Sequence, residues 1–249
     1  MKKFSHFVIV ILLQISSVFS ENINSKNREL LSILHSNANW NIIEVTNDSI
    51  SISEKTISGS ELNAIKVEKV YDIEPKYFTE IIMDVGNYNS FLSNAKSLKS
   101  EIIKNTSDGL IGYQRINVNL PFFDDREYYF YMSQNPFDYQ FQKVMCYWLL
   151  LDPKHDQKNL TLSDNAIYLK QGAGLWKWEQ TQTGRIKISY ILTMHPGGSI
   201  PEFVVEKINK SSIVGLLRDV ETEVITCLLY TSDAADDTPC VDLGGRRII

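Results

Sequence analysis

Residues 185–226 read RIKISYILTMHPGGSIPEFVVEKINKSSIVGLLRDVETEVIT, and the change of period inside them decides the fold. Arg185–Met194 alternates apolar and polar side chains, as a strand with one buried face does. Pro196-Gly197-Gly198 stops it. From Pro201 to Val224 the period becomes helical: Phe203, Val204, Ile208, Val214, Leu217, Val220 and Val224 fall on one stripe. A long amphipathic helix must lay that stripe on something, and the chain ahead of it supplies a sheet.

Working back, Ile102–Asn105, Leu110–Leu120, Arg126–Ser133, Tyr139–Leu151, Ala166–Gln171 and Leu175–Gln180 read as strands. Ser107-Asp108-Gly109, Gly172-Ala173-Gly174 and Thr183-Gly184 read as turns between strands. Trp40–Ser53 reads as a hairpin around Asn47-Asp48, and Ala64–Ile73 as another strand. Ser25–Ser36 carries Leu30, Leu31 and Leu34 at helical spacing. Pro75 opens a second helix, with Tyr77, Phe78, Ile81, Ile82 and Val85 on its stripe and Gly86 at its end. Helix, strands, helix, many antiparallel strands and a long terminal helix specify one α+β domain.

Composition agrees. The chain has 249 residues, 43% hydrophobic and 22% charged, with a mean hydropathy of −0.16. These values fit a folded core and exclude a disordered or multi-spanning chain. A net charge of −5 leaves no basic face for nucleic acid. Twelve Tyr and eleven Phe suit either a plain core or a wide apolar cavity.

Both ends read differently from the middle. Residues 1–20, MKKFSHFVIVILLQISSVFS, combine Lys2 and Lys3, an apolar run from Phe7 to Phe19 and a small residue before Glu21. That is the outline of a secretory signal peptide cleaved after Ser20, so the protein is expected to be exported, to a periplasm or to the extracellular space. From Cys227 the chain reads CLLYTSDAADDTPCVDLGGRRII, which resembles the translation of a sequencing adapter and is expected to add nothing to the fold. Residues 21–226 then form the domain, still at net charge −5, with Cys146 as their one cysteine. A lone cysteine in the apolar run Val144–Leu151 reads as a small buried hydrophobe. Asn47, Asn105, Asn159 and Asn209 open glycosylation sequons, which matter in a eukaryotic secretory route.

Two motifs carry a family resemblance. Asp125-Arg126-Glu127-Tyr128-Tyr129-Phe130 resembles the Arg-Asp-Phe strand start of START (StAR-related lipid-transfer) domains. Gly197-Gly198-Ser199-Ile200-Pro201, with Leu216-Leu217-Arg218-Asp219 beyond it, resembles that family's entry to its C-terminal helix. The helix Pro75–Val85 and the stretch Asn87–Leu92 fit the family's second helix. The resemblance spans about residues 40–226. It implies a helix-grip fold: a curved antiparallel sheet wrapped round the C-terminal helix, with a lipid-sized cavity between them.

The residues lead to a compatible place. Arg126–Met132 and Tyr139–Leu151 are apolar or aromatic on both faces, so each face must meet a helix, a partner or a ligand. The candidate ligand-binding residues are Tyr113 and Arg115, Tyr129 and Tyr131, Trp148, Ile188 and Tyr190 on the strands, with Phe203, Val204 and Leu217 on the helix. Each strand group keeps one parity, and the pattern leaves open which parity faces inward. Some START members hold a charged pair in the cavity; the matching positions here are Tyr113 and Met132, and Arg115 is the substitute candidate.

Catalytic patterns are weak. His35, His155 and His195 have no Cys or carboxylate at metal-ligand spacing. Asp124-Asp125 reads as a turn or strand cap. Gly-x-Ser-x-Gly elbows and phosphate loops are absent from the sequence. The expectation is a monomeric, non-enzymatic carrier of a lipid or other apolar small molecule, touching membranes transiently and using no cofactor or metal. The alternative is an aromatase- or cyclase-like helix-grip enzyme acting on an apolar ring.

Overall fold

Among the described residues the alternating stretches form ten strands: β1 (Asn41–Val45), β2 (Ser51–Lys55), β3 (Ala64–Tyr71), β4 (Leu98–Asn105), β5 (Leu110–Ile116), β6 (Asp125–Ser133), β7 (Val144–Leu150), β8 (Ala166–Tyr168), β9 (Gly172–Gln180) and β10 (Ile186–Met194). They make one sheet in the order β1-β2-β3-β10-β9-β7-β6-β5-β4, with β8 paired to β6 off that path. Neighbours along the path run antiparallel, and β8 runs parallel to the start of β6. The helical stretches form α1 (Ser25–His35), α2 (Pro75–Met83), α3 (Tyr88–Phe91) and α4 (Glu202–Asp233). The computed structural model describes residues 25–60, 62–118, 123–134, 143–153, 161–198 and 202–233, with backbone alone at 202–209 and 231–233. The expected signal peptide lies outside the described residues. Among them, no helix is long and apolar enough to cross a membrane.

Each face of the sheet is apolar because each has a helix to meet. On one face Ile213, Val214, Leu217, Val220 and Val224 of α4 pack with Ile52, Val67, Tyr128, Phe130, Trp176, Ile188 and Tyr190. Leu217 is fully buried; a side chain of its size contributes about 1.5–3 kcal/mol on burial. On the other face Leu30, Leu31 and Leu34 of α1 pack with Ile111, Tyr129, Tyr131, Leu149, Leu175 and Ile191. Asn27 fixes α1 there: its Nδ2 donates to the Leu150 and Lys170 carbonyls at 2.7 and 3.0 Å. Its Oδ1 accepts from the Gly172 N–H at 3.0 Å. At the other end of α1, Lys55 Nζ donates to the Ile33 and Ser36 carbonyls, where a cation offsets the negative end of the helix dipole.

Of the boundaries that depart from the sequence reading, three bear on packing. Gly172-Ala173-Gly174, expected as a turn, lies in β9. Its glycine is needed for packing: a Cβ on Gly174 would stand 2.5 Å from the Trp148 ring on the paired strand. The helix from Pro75 ends at Met83, ahead of Gly86, and the chain continues through a 3-10 turn into α3. At the far end, α4 runs past Val224 to Asp233, and Cys227 and Leu228 pack against the core. They continue the stripe Val220-Val224 by one further turn, so the helix does not stop at Val224. Beyond Leu228, Leu229 and Tyr230 are exposed.

Candidate functional site

Strand pairing decides which side chains look toward α4. Tyr190 pairs with Val67 and Trp176, Trp148 with Gly174, Phe130 with Gly112, and Gln114 with Tyr128. Directly paired residues share a face, so these side chains line one surface across β3, β10, β9, β7, β6 and β5. Small residues make room for large ones. A Cβ on Gly112 would lie 2.3 Å from the Phe130 ring, as one on Gly174 would from Trp148. Two aromatic rings thus lie flat on the backbone of the neighbouring strand, and the surface stays broad and apolar.

Its polar groups are few and neutral. The Tyr128 hydroxyl donates to Gln114 Oε1. Gln114 Nε2 donates to Ser100 Oγ at 3.1 Å, and Ser100 donates to the Val85 carbonyl at 3.0 Å. Tyr88 of α3 donates to the Ile82 carbonyl. Trp148 Nε1 donates to the Tyr190 oxygen at 3.3 Å, and the Tyr190 ring stacks on Trp176 with centroids 4.2 Å apart. Burial pushes the hydroxyls of Tyr88, Tyr128 and Tyr190 and the thiol of Cys146 well above their ordinary values. All four stay protonated at neutral pH. At the flank of the same face, Lys69 of β3 grips both oxygens of Glu221 of α4 at 2.7 and 2.8 Å.

Charged and polar contacts hold α4 over this surface from several sides. Lys210 pairs with Glu44, and Arg218 donates to both oxygens of Asp48 at 2.8 and 2.9 Å. Asp219 accepts from the N–H and hydroxyl of Ser93, both at 2.8 Å. The turn leading into α4 uses Gly197 and Gly198 at φ +63° and +64°, where side chains are strained. Arg126 Nε donates to the Pro196 carbonyl at 3.2 Å, and the Gly197 N–H donates to His195 Nδ1 at 3.1 Å.

The ten candidates divide between the two faces. Trp148, Ile188, Tyr190 and Leu217 come together under α4. Tyr113, Tyr129 and Tyr131 lie on the opposite face, in the cluster under α1. Arg115 shares that parity and is ion-paired with Asp125 at 2.8 Å, with further bonds to Ser163 and Asn165. Placing these four beside a ligand under α4 is therefore corrected. Their role is a second polar network: Glu127, fully buried, accepts from the Tyr113 hydroxyl at 2.8 Å and from the Ser163 N–H and hydroxyl at 2.7 and 2.6 Å. Desolvation, then that bond to Glu127, pushes the Tyr113 hydroxyl up to about 12. The side chains of Phe203 and Val204 lie outside the described residues, as does His155.

The inward residues that sequence reasoning missed are Tyr128, Phe130 and Trp176. The sequence held only a partial signal for them: Arg115, Asp125 and Glu127 share the odd parity of β5 and β6, but Arg126 puts a charge on the even parity as well. Asp125 Oδ1 also accepts from the Val118 N–H, so the expected strand cap is present. Among the described residues, no group of three or more His, Cys, Asp or Glu side chains could hold a metal ion.

No family model and no curated protein matches the sequence. Solved structures do match in shape. A STAR-related lipid transfer protein fragment from Xanthomonas axonopodis aligns at TM-score 0.59 and 15% identity, covering 74% of this chain and 98% of that one. Human STARD10 aligns at TM-score 0.61 and 15% identity, covering 87% and 85%. Human StAR-related lipid transfer protein 5 aligns at TM-score 0.57 and 12% identity, covering 87% and 98%. With its long terminal helix gripped by one large antiparallel sheet, the chain has the START-like helix-grip fold.

Proposed function

We propose that the protein binds an apolar ligand between the sheet and α4 and carries it without changing it. One observation carries the reading. The face under α4 is aromatic across four strands, and the helix does not seal it: Trp148, Trp178, Ile186, Leu192 and Met194 pack against that core yet stay partly exposed. An apolar surface of this breadth under a single helix suits a ligand that takes the remaining contact. The likeness in fold to lipid-transfer proteins supports the same reading. The protonated phenols and thiol can donate hydrogen bonds to a bound molecule, and none of them is a base at neutral pH. Residues 1–20 support work outside the cytoplasm, and the carrier is taken to act as a monomer that meets membranes briefly to load and unload.

The test is native mass spectrometry of the purified full chain, followed by extraction of whatever it holds. A stoichiometric apolar molecule released unaltered after incubation is the expected result. A ligand-free protein that takes up no apolar probe would overturn the carrier reading, and a chemically altered ligand would replace it by the enzyme. Sequencing the N-terminus of the exported product tests cleavage after Ser20.

A further inference from the structure

We infer that Tyr190 is the polar anchor for the bound molecule, and that the ligand is uncharged and carries a carbonyl, ester or hydroxyl oxygen beside its apolar body. This rests on the reading that an apolar ligand lies under α4.

Around Tyr190 the other hydroxyl and amide hydrogens are committed: Tyr128 to Gln114, Gln114 to Ser100, Ser100 to the Val85 carbonyl, and Tyr88 to the Ile82 carbonyl. Tyr190 differs. Its oxygen accepts from Trp148 Nε1, and its own proton meets no acceptor among the described residues. The ring cannot easily turn away, because it is stacked on Trp176 at an interplanar angle of 13°. Only 5% of Tyr190 is exposed, so water does not make up the loss. A buried hydroxyl held rigidly with an unspent proton is unfavourable alone and well suited to a ligand that brings an acceptor.

Charge sets the ligand class. The groups whose fields reach Tyr190 are Tyr128 and Cys146, with Trp148 bonded to it, and all are neutral. On the same face, Lys69 is already neutralised by Glu221. A carboxylate or phosphate at Tyr190 would be buried without a cation, which is costly, whereas a neutral oxygen gains one hydrogen bond.

The experiment uses three probes of equal length: a medium-chain alkane, its methyl ketone and its carboxylate. Each competes with a bound apolar fluorophore on the parent and on Tyr190→Phe, which keeps the ring and its stacking. The parent should hold the ketone about five- to tenfold more tightly than the alkane, the range one neutral hydrogen bond supplies. It should hold the carboxylate weakest. Tyr190→Phe should bind the alkane as the parent does and lose the preference for the ketone. If the carboxylate binds as tightly as the ketone, or the variant keeps the preference, the anchor is wrong while the carrier reading stands. If the parent binds neither fluorophore nor any probe, both fall together.

Discussion

Arg126 Nε donates to the Pro196 carbonyl across 3.2 Å, so the start of β6 holds the turn ahead of α4. The same guanidinium reaches the Gly197 carbonyl at 3.4 Å and the Asp124 carbonyl. Arg126 of β6 and the Pro196-Gly197 turn, far apart in sequence, are thus bonded to each other. This joint ties β6 to the turn ahead of α4.

Replacing Arg126 by Ala removes three donors to the partly buried carbonyls of Asp124, Pro196 and Gly197. The loss should be about 1–3 kcal/mol, seen as a fall in melting temperature of roughly 2–4 °C for each kcal/mol. Arg126→Lys should restore little, because an ammonium cannot reproduce the planar fork. Faster ligand release from both variants is expected in stopped-flow exchange. Equal melts and equal release rates would show that the joint is held by Gly197 and Gly198 alone.

The elements were readable from period; the parity of the central strands was not, for a physical reason. In β10, Lys187 and Ser189 alternate with Ile188 and Tyr190, so the inward face is plain. In β6, Tyr128, Phe130 and Met132 face α4, while Tyr129 and Tyr131 face the layer under α1. Both faces are covered, so neither needs polar side chains and the alternation disappears. The helix end at Asp233 was missed because Cys227 and Leu228 extend the stripe within a segment whose later residues are small and acidic. The unspent proton of Tyr190 has no signature in sequence at all, since it depends on what Trp148 does from another strand.

Asn27 offers a stability test remote from the proposed ligand. It is fully buried and bonds the backbone at Leu150, Lys170 and Gly172. Asn27→Ala leaves two carbonyls and one N–H unpaired under α1, at an expected cost of about 2–3 kcal/mol. Asn27→Asp should be similar, because a carboxylate cannot donate to the two carbonyls. Faster hydrogen exchange at the Gly172 amide is the local readout, and ligand affinity should change little.

Gly174 and Gly112 act as seats for Trp148 and Phe130, so adding one methyl should be harmful. Gly174→Ala and Gly112→Ala are each expected to cost about 1–3 kcal/mol by overpacking. In a Trp148→Leu background the Gly174→Ala penalty should shrink, and a double-mutant cycle measures that coupling. A coupling near zero would mean that glycine is needed there for backbone freedom instead.

Acid should loosen one attachment of α4 late. The hydrogen bond from Arg218 holds the Asp48 carboxyl well below the usual carboxylate range, helped by Thr46. A carboxyl lowered in the folded state stabilises above its unfolded pKa, and that contribution is lost as pH falls through the folded value. The pair is largely exposed, so its worth is under about 1 kcal/mol. Above the ordinary carboxylate range, Asp48→Asn should therefore be slightly less stable than the parent. The gap should narrow as pH drops below that range; a gap independent of pH would exclude the ion pair as its source.

The two faces can be told apart by one pair of substitutions. Leu217 is fully buried on α4 against the ligand-side core, and a carboxylate there has no cation to meet. Leu217→Asp should abolish fluorophore binding or loosen the domain, since an unpaired buried charge costs several kcal/mol. Because unfolding would give the same loss, a milder change on the same face is needed beside it. Phe130→Leu keeps an apolar side chain over Gly112 while removing the ring; it should fold and bind about tenfold more weakly, in line with a lost aromatic contact. Tyr129 sits one residue away on the opposite face, its hydroxyl donating to the Thr161 carbonyl at 3.0 Å. Tyr129→Phe should cost about 1 kcal/mol of stability and leave affinity unchanged. Circular dichroism establishes folding in each case, and the affinities decide. If Tyr129→Phe weakens binding and Phe130→Leu does not, the ligand lies under α1, and the parity assigned to the site is reversed.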